Sequence, residues 1–354
     1  MLTAGFLVAA SSGAWAQETG LGVNTHVPDD GMLDLCADLG VNWIRVDGNW
    51  DLLNPASGTF NWALDDAVNG ARTRNMEVFM TLGYTPDWVP RVARTRSDTY
   101  NGNDEPLTST EWIAFVEAAV AHYQPLGVTH YGLWNEANLG GFWEEAAGSQ
   151  SWIDKILVPG AAAVKRVCPT CKVLGPELAH VGEYQNFMRP VLMQAGDVYD
   201  IITHHSYNGW AELGLQIWDG DSFLNAIETR RFSFTRPALK ELLDEFNITV
   251  PVWITETGLK AAPAGDVNQE NRQAQYVELV MDAQLARPWW TNTFFYEIMD
   301  CGVDAPTCDI DGFGIARPTR DLQAGSRSFA DYRQKPAYTA IKTYITAHPE
   351  IVVR

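Results

Sequence analysis

Short apolar runs alternate with segments of helical periodicity along most of the chain. The clearest helical segment starts with Thr108-x-x-Glu111, a capping-box pattern, and places apolar residues on one stripe as far as Tyr123. A last helix is predicted over 336–348. Eight apolar runs have the length and composition of buried strands. These predicted strands are residues 21–26, 43–47, 77–82, 129–134, 172–174, 201–204, 251–255 and 292–297.

Eight strand–helix units in succession predict an α/β fold, a single (β/α)8 or TIM barrel over residues 17–354. An open doubly wound sheet is the alternative. Such a sheet usually carries a glycine-rich phosphate loop after its first strand, whereas residues 24–28 here read NTHVP. The barrel is therefore the expected fold, and its active site is expected at the C-terminal ends of the strands.

The N-terminal residues 1–16 resemble a signal peptide, because an apolar stretch ends in Ala14-Trp15-Ala16. This pattern predicts a secreted or periplasmic protein. An apolar first strand or a misassigned start is the competing interpretation. No later stretch is apolar for long enough to span a bilayer.

The five cysteines fall into two local pairs and one single residue. Cys168 with Cys171, and Cys301 with Cys308, are expected to form disulfides in an exported protein. A zinc site would require both pairs to converge from distant loops, which the spacing does not favour. Cys36 lies on an apolar helix face and is expected to be a buried free thiol.

The composition narrows the range of partners. A formal net charge of −19 disfavours nucleic acid and anionic membranes, whereas a neutral polysaccharide is indifferent to this charge. The chain also holds 14 Trp, 12 Tyr and 14 Phe, and such rings stack on sugars in carbohydrate-binding clefts. Nothing in the sequence specifies an oligomeric state.

Charged and polar residues cluster at the predicted strand ends. Arg45 lies on the second strand, Asn135 and Glu136 follow the fourth, and Glu256 follows the seventh. Cleavage of a glycosidic bond requires two carboxylates, one to protonate the leaving oxygen and one to attack or to activate water. The alternative is that one of the glutamates only pairs with Arg45.

Five ordered motifs resemble those of glycoside hydrolase clan A. The closest resemblance is to family 39 and its relatives, with family 5 next. Ala137 departs from the proline usual after the acid/base, and the chain is not expected to carry the β-sandwich of family 39 xylosidases, so their specificity does not transfer. The motifs are LGVNWIRVD at 39–47, LWNEAN at 133–138, HSY at 205–207, WITETG at 253–258 and KPAY at 335–338.

The resemblance implies a retaining hydrolase of β-linked oligo- or polysaccharides, without cofactor or metal. Glu256 would be the nucleophile, held ionised by Arg45 and by a hydrogen bond from Tyr207. Glu136 would be the acid/base, protonated at rest because a second negative charge lies nearby. Two further roles are implied: Asn135 would donate to the sugar 2-hydroxyl, and His205 would either bind the sugar or be a hydrogen-bonded structural residue.

Other side chains are weaker candidates. Tyr296, at the end of the eighth strand, is expected to contact substrate. A set of tryptophans near strand-to-helix loops would be either stacking platforms for sugars or anchors of those loops, namely Trp50, Trp88, Trp143, Trp210 and Trp290.

An acidic loop and the possibility of a non-catalytic barrel leave two alternative interpretations open. Asp304, Asp309 and Asp311 are candidates for a calcium loop, although a solvated acidic loop is the simpler interpretation. The rival to an enzyme is a non-catalytic glycan-binding barrel, which would keep the aromatic residues and lose a carboxylate. The presence of both glutamates favours the enzyme.

Overall fold

The computed structural model describes the chain in eight stretches. Some predictions fall on residues outside them: the signal peptide, the calcium loop, Trp210 and Cys308. No helix within the described stretches combines the length and the apolar character needed to cross a membrane. The described residues are 19–93, 102–144, 146–207, 223–229, 236–262, 265–301, 312–319 and 327–353.

Eight parallel strands close into a barrel in chain order, β1 to β8, with β8 pairing back to β1. The predicted (β/α)8 fold is therefore confirmed. A short antiparallel pair, β9 Ala316–Pro318 and β10 Tyr332–Gln334, lies outside the barrel. The barrel strands are β1 Gly20–His26, β2 Trp43–Asn49, β3 Glu77–Gly83, β4 His130–Leu133, β5 Lys172–Ala179, β6 Ile201–His205, β7 Val252–Thr257 and β8 Trp290–Phe295.

Helices follow the strands and cover the barrel. A π-helical turn, Ile153–Leu157, joins α5 to α6. The helices are α1 Asp30–Leu39, α2 Trp50–Leu53, α3 Asp65–Thr73, α4 Thr110–Tyr123, α5 Gly148–Trp152, α6 Val158–Val167, α7 Gln185–Ala195, α8 Leu239–Glu245, α9 Val267–Leu285 and α10 Pro336–Ala347.

Large aromatic side chains fill the barrel interior beneath its C-terminal mouth. Trp43 and Trp253 meet edge to face with ring centroids 4.9 Å apart, and Phe79 and Phe294 pack against them. Side chains two residues further along a strand point the same way. Arg45 therefore follows Trp43 inward, and its guanidinium lies 5.8 Å from the Phe79 ring centroid. The apolar layer thus forms the floor on which the polar mouth is built.

Seven of the eight barrel strands end at a different residue from the prediction, and the ends of β4 and β5 have a clear local cause. β4 ends at Leu133 because Trp134 takes a φ of +83°, outside the extended region. β5 continues to Ala179 although the prediction ends it at residue 174. Gly175-Pro176 normally indicates a turn, but here the pair lies within the strand, which absorbs it as an irregularity in its pairing with β6.

The predicted start of α4 is also wrong in detail. The helix begins at Thr110, and the Thr108 hydroxyl accepts from the Thr110 N–H at 3.3 Å, without the reciprocal bonds of a capping box. The apolar stripe is confirmed, since Trp112 and Tyr123 are fully buried. The final helix ends at Ala347, one residue before the predicted end.

The cysteine predictions are confirmed where the structure describes the residues. Cys168 and Cys171 form a disulfide at the turn between α6 and β5. Cys36 is a buried free thiol, and burial raises its pKa far above the ordinary value. Cys301 is disulfide-bonded, and its predicted partner lies outside the described residues.

Candidate active site

Backbone strain is concentrated at the C-terminal mouth of the barrel. Among the described residues, seven non-glycine residues have positive φ, and five of them stand at the ends of β1, β3, β4 and β5. Such conformations cost on the order of 1–3 kcal/mol each and persist only where the surroundings hold them. The five residues are His26, Tyr84, Trp134, Glu136 and Glu177.

The two predicted glutamates converge in this mouth. Glu136 follows β4, Glu256 lies on β7, and both are almost fully buried. One oxygen of each carboxylate and one ring nitrogen of His205 lie within 4.8 Å of one another. The structure thus brings together three groups that are 120 positions apart at most (256 minus 136) in the chain.

Arg45 binds the Glu256 carboxylate from beneath. Its Nη1 donates to Glu256 Oε1 at 2.8 Å and to Asn24 Oδ1 at 2.8 Å, and its Nη2 donates to Asn135 Oδ1 at 2.9 Å. Charge-assisted bonds of this kind favour an ionised carboxylate. Neighbouring carboxylates outweigh burial and raise the pKa of Arg45, so the cation is permanent.

Tyr207 holds the other oxygen of Glu256. Its hydroxyl donates to Glu256 Oε2 at 2.7 Å, the contact implied by the family resemblance. Burial and the nearby negative charges of Glu256 and Glu136 raise the pKa of Tyr207 well above its ordinary value. The phenol therefore stays a donor throughout the working pH range.

His205 is fully buried and contacts carboxylates rather than open space. Its Nδ1 lies 2.9 Å from Glu136 Oε1 and 3.5 Å from Glu256 Oε2. Burial opposes its charge, but the charge of Glu256, the hydrogen bond to Glu136 and the nearby Glu177 carboxylate raise its pKa to about 9. The ring of His205 is completely covered by its neighbours, which favours the alternative of a hydrogen-bonded structural histidine over a direct contact with the sugar.

The environment of Glu136 favours its protonated form. Burial raises the pKa of this carboxyl, and the charge of Glu256 acts in the same direction, while His205 and Arg45 oppose them. A carboxyl that stays protonated beside an ionised one is the arrangement of a general acid next to a nucleophile. The two glutamates therefore differ in the way that the predicted roles require.

Asn135 and the remaining polar groups complete the site. Asn135 Oδ1 accepts from Arg45, so the amide nitrogen of Asn135 is the end of the side chain that this cation does not contact. Glu136, His205 and Glu256 are close enough to hold a cation. Arg45 already supplies positive charge to Glu256, and the raised pKa of His205 favours a protonated ring there, so these surroundings do not favour a metal.

Most of the tryptophan candidates are structural. Trp50, Trp143 and Trp290 are buried, so the expectation that Trp50 stacks on a sugar is wrong. Trp50 instead stacks on Phe115, with ring centroids 5.4 Å apart. Trp88 is half-buried and donates to the Asn54 carbonyl at 2.7 Å.

Tyr296 is the aromatic candidate that reaches the mouth. Its ring is half-buried and lies 6.0 Å from that of Tyr207 and 5.5 Å from that of His26. His26 Nδ1 in turn lies 2.7 Å from Asp47 Oδ2, and its Nε2 lies 3.2 Å from Glu297 Oε2. Burial lowers the pKa of His26, but hydrogen bonds to these two carboxylates outweigh it and raise the pKa to about 10.

Three further residues complete the site and were not predicted from the sequence. Asn24 and Thr81 hold Arg45, and Glu177 accepts from it twice. Glu177 requires a glycine at position 132, because a Cβ there would overlap its carboxylate. The missed signal was a glutamate directly after Gly175-Pro176, at a strand end on the same rim as Glu136.

Comparison with known proteins shows similarity in structure but none in sequence. No family model matches the sequence, and neither does any curated protein. A family 39 β-xylosidase from Caulobacter crescentus superposes with a TM-score of 0.64 at 19% identity, covering 94% of this chain and 72% of its own. A family 39 glycoside hydrolase from Bacteroides cellulosilyticus WH2 gives 0.61 at 21%, covering 93% and 63%.

A shorter structure matches along nearly its full length. Xylanase 10B from Thermotoga petrophila RKU-1 gives a TM-score of 0.59 at 15% identity, covering 93% of this chain and 94% of its own. The chain spans only 63% of the length of the Bacteroides protein. At these identities the likeness shows the fold, which is the barrel of glycoside hydrolases of families 39 and 10, in line with the resemblance seen in the motifs.

Proposed function

We propose that this chain is a retaining glycoside hydrolase acting on β-linked oligo- or polysaccharides, with Glu256 as nucleophile and Glu136 as acid/base. The observation that carries the proposal is the separation of the two carboxylates, an oxygen of each lying within 4.8 Å of the other. Direct attack needs carboxyl groups about 5–5.5 Å apart, whereas an inverting enzyme leaves about 6.5–9.5 Å for a water.

The electrostatics support the assignment of roles. Glu256 is bound by Arg45 and Tyr207, which leaves it an ionised carboxylate aimed by two fixed donors. Glu136 has a raised pKa and so keeps a proton for the leaving oxygen. Once Glu256 becomes a neutral ester, one cause of that raised pKa disappears, and Glu136 becomes the base that activates water.

The matched structures and the net charge support a neutral β-linked glycan as the substrate class. The matched proteins include a β-xylosidase and a xylanase solved with xylobiose. A net charge of −19 favours a neutral glycan over a polyanion. We further propose that the protein is exported, as the N-terminal pattern suggests, and the local disulfide Cys168–Cys171 supports this.

Two variants with added azide test the assignment. Glu256→Ala should abolish turnover for every leaving group, and azide should then restore cleavage to a glycosyl azide of inverted configuration. Glu136→Ala should still form the glycosyl-enzyme from a nitrophenyl glycoside, and azide should release a product of retained configuration. With poor leaving groups, Glu136→Ala should lose on the order of 10²–10⁴-fold in rate. NMR at early times reads the anomer directly.

Controls separate this mechanism from its rivals. Glu183→Gln removes an exposed carboxylate after β5 and should leave hydrolysis unchanged. If Glu256→Ala still formed the glycosyl-enzyme rapidly, the roles of the two glutamates would be the reverse of those proposed. If the first product of the wild-type protein had inverted configuration, direct attack would be ruled out. A wild-type protein that binds glycans but hydrolyses none of a broad panel would be the glycan-binding barrel.

A further inference from the structure

Glu177 is a third carboxylate of the site, fully buried, and it contacts both cations. Its Oε2 accepts from Arg45 Nε at 3.0 Å and from Nη2 at 2.7 Å, and lies 3.5 Å from His205 Nε2. Its Oε1 accepts from the Thr81 hydroxyl at 3.1 Å. Each of these groups is a donor, which is the environment of an ionised carboxylate.

The main chain of Glu177 also reaches the acid/base. Its carbonyl accepts from the Glu136 N–H at 2.9 Å, so the end of β5 fixes the turn that carries Glu136. Its own N–H donates to the Thr203 hydroxyl at 3.1 Å. The main chain of Glu177 is therefore held on both sides, and it connects the end of β5 to the acid/base turn.

The charges of the site balance only when Glu177 is counted. At rest Arg45 and His205 are cationic, Glu256 is anionic and Glu136 keeps its proton, which leaves one net positive charge. Ionised Glu177 cancels it. An uncompensated buried charge is costly, so neutrality is the stable condition for a site buried as deeply as this one.

We propose that Glu177 is a positioning residue, the fixed counter-ion that keeps the site neutral while negative charge passes from Glu256 to Glu136. The inference rests on the proposed function. Glu177 would not contact the substrate itself and would act through Arg45 and His205. Its effect is to maintain the two protonation states from which the reaction starts.

The balance holds through the first chemical step. Glu256 attacks the anomeric carbon and forms the ester bond, while the glycosidic bond breaks with its electron pair on the leaving oxygen. That oxygen takes the proton of Glu136. The ester is neutral and Glu136 is now anionic, so the site again sums to zero with Glu177 and to one positive charge without it.

Several charged or titratable groups surround the two residues that titrate. Those facing Glu136 from other strands are His205 and Tyr207 from the β6 end, Glu256 from β7, and Arg45 from β2. Those facing His205 are Glu136, Glu177 and Glu256, with neutral His204 next to it in the chain. Glu177 is the one of these carboxylates whose charge the proposed reaction leaves unchanged.

Glu177→Gln tests the proposal by pH profiles. The added net positive charge stabilises ionised Glu136 and destabilises protonated His205, so both lose their protons at lower pH. The alkaline limb of kcat/KM should move down by about one pH unit, the lower end of shifts caused by an adjacent charge. Glu177→Asp keeps the charge and should restore the limb, even if kcat falls because the carboxylate is shorter.

The matched control is Glu183→Gln, which removes an exposed carboxylate six positions further along (183 minus 177) and should leave the limb in place. If Glu177→Gln leaves the limb unchanged, or if Glu177→Asp behaves like Gln, the residue is only structural and the proposal is overturned. A fall in kcat/KM that is equal at every pH would overturn it too.

A second measurement needs no turnover, and its first part uses the wild-type protein alone. NMR of ¹⁵N-labelled wild-type protein at pH 7 should show the ring nitrogens of His205 as an imidazolium, and a neutral ring would overturn the proposal. The same titration on Glu177→Gln should show a lower His205 pKa. If no glycoside is hydrolysed by the wild-type protein, the proposed function fails while this readout still tests the counter-ion.

Discussion

His205 shows how much a single residue depends on its partners. An isolated buried imidazole is expected to lose its proton, as His130 does, where burial lowers the pKa to about 3. His205 is fully buried, yet the carboxylates of Glu136, Glu177 and Glu256 raise its pKa to about 9. The positive charge of His205 therefore depends on carboxylates that come from the ends of β4, β5 and β7.

This shift predicts a pH-dependent stability. The folded pKa of His205 is about 9 against an unfolded value of 6.5, so its contribution is complete below pH 6.5 and is lost as pH rises through 9. Urea unfolding of wild type at pH 6 and pH 9.5 should differ by on the order of 1–3 kcal/mol more than for His205→Gln. His348→Gln, an exposed control, should keep the wild-type difference; equal profiles for all three proteins would contradict the prediction.

At the scale of elements, what the sequence predicts depends on how regular each strand is. Glu136 and Glu256 are predictable because each follows an apolar run and stands in a distinctive motif. Glu177 is not predictable in this way, because Gly175-Pro176 in the sequence indicates that β5 ends before it. In the structure, pairing with the neighbouring strands keeps this segment extended. Trp50 follows β2 directly, and only packing against Phe115 shows that it faces the core.

The disulfide between α6 and β5 gives a prediction for one element. Cys168 and Cys171 close a loop of three positions (171 minus 168) at the N-terminal end of β5, whereas Glu177 and Glu136 lie at the opposite end of the barrel. Replacing both cysteines by serine should cost about 2 kcal/mol or less, because closing so short a loop removes little entropy.

Thermal unfolding and kinetics check this prediction together. The double serine variant should melt at a lower temperature and keep the wild-type kcat/KM, because the turn lies at the opposite end of the barrel from Glu136 and Glu177. Cys36→Ala is the matched control, since it removes a buried thiol that forms no disulfide. A loss of activity at temperatures where the variant remains folded would show that the turn supports the site.

The whole molecule combines a neutral site with a strongly acidic body. The net charge is −19, whereas the cluster around Glu256 is balanced by Arg45 and His205. Charges spread over the surface act at long range and are screened by salt, with a Debye length of about 10 Å at 0.1 M. The acidic surface therefore influences which glycans approach, and the residues around Glu256 determine whether they are cleaved.

Ionic strength should separate neutral from acidic substrates. For a neutral β-glycan, kcat/KM should be the same at low and at moderate salt. For a glycan of similar size rich in uronic acid, kcat/KM should be lower at low salt and should rise as salt screens the repulsion. Assays of both glycans across a salt series check this, and a preference for the acidic glycan that salt weakens would contradict it.

The overlap between Gly132 and Glu177 restricts the order in which this protein can change. A methyl group at position 132 would collide with the Glu177 carboxylate and would press on the Phe79 ring at 3.1 Å. Alanine at 132 therefore becomes tolerable only after Glu177 has been shortened, and once it is there it blocks the return of the glutamate. The two positions are therefore epistatic. In a lineage or a mutant library, Gly132→Ala occurring first would exclude a glutamate at position 177.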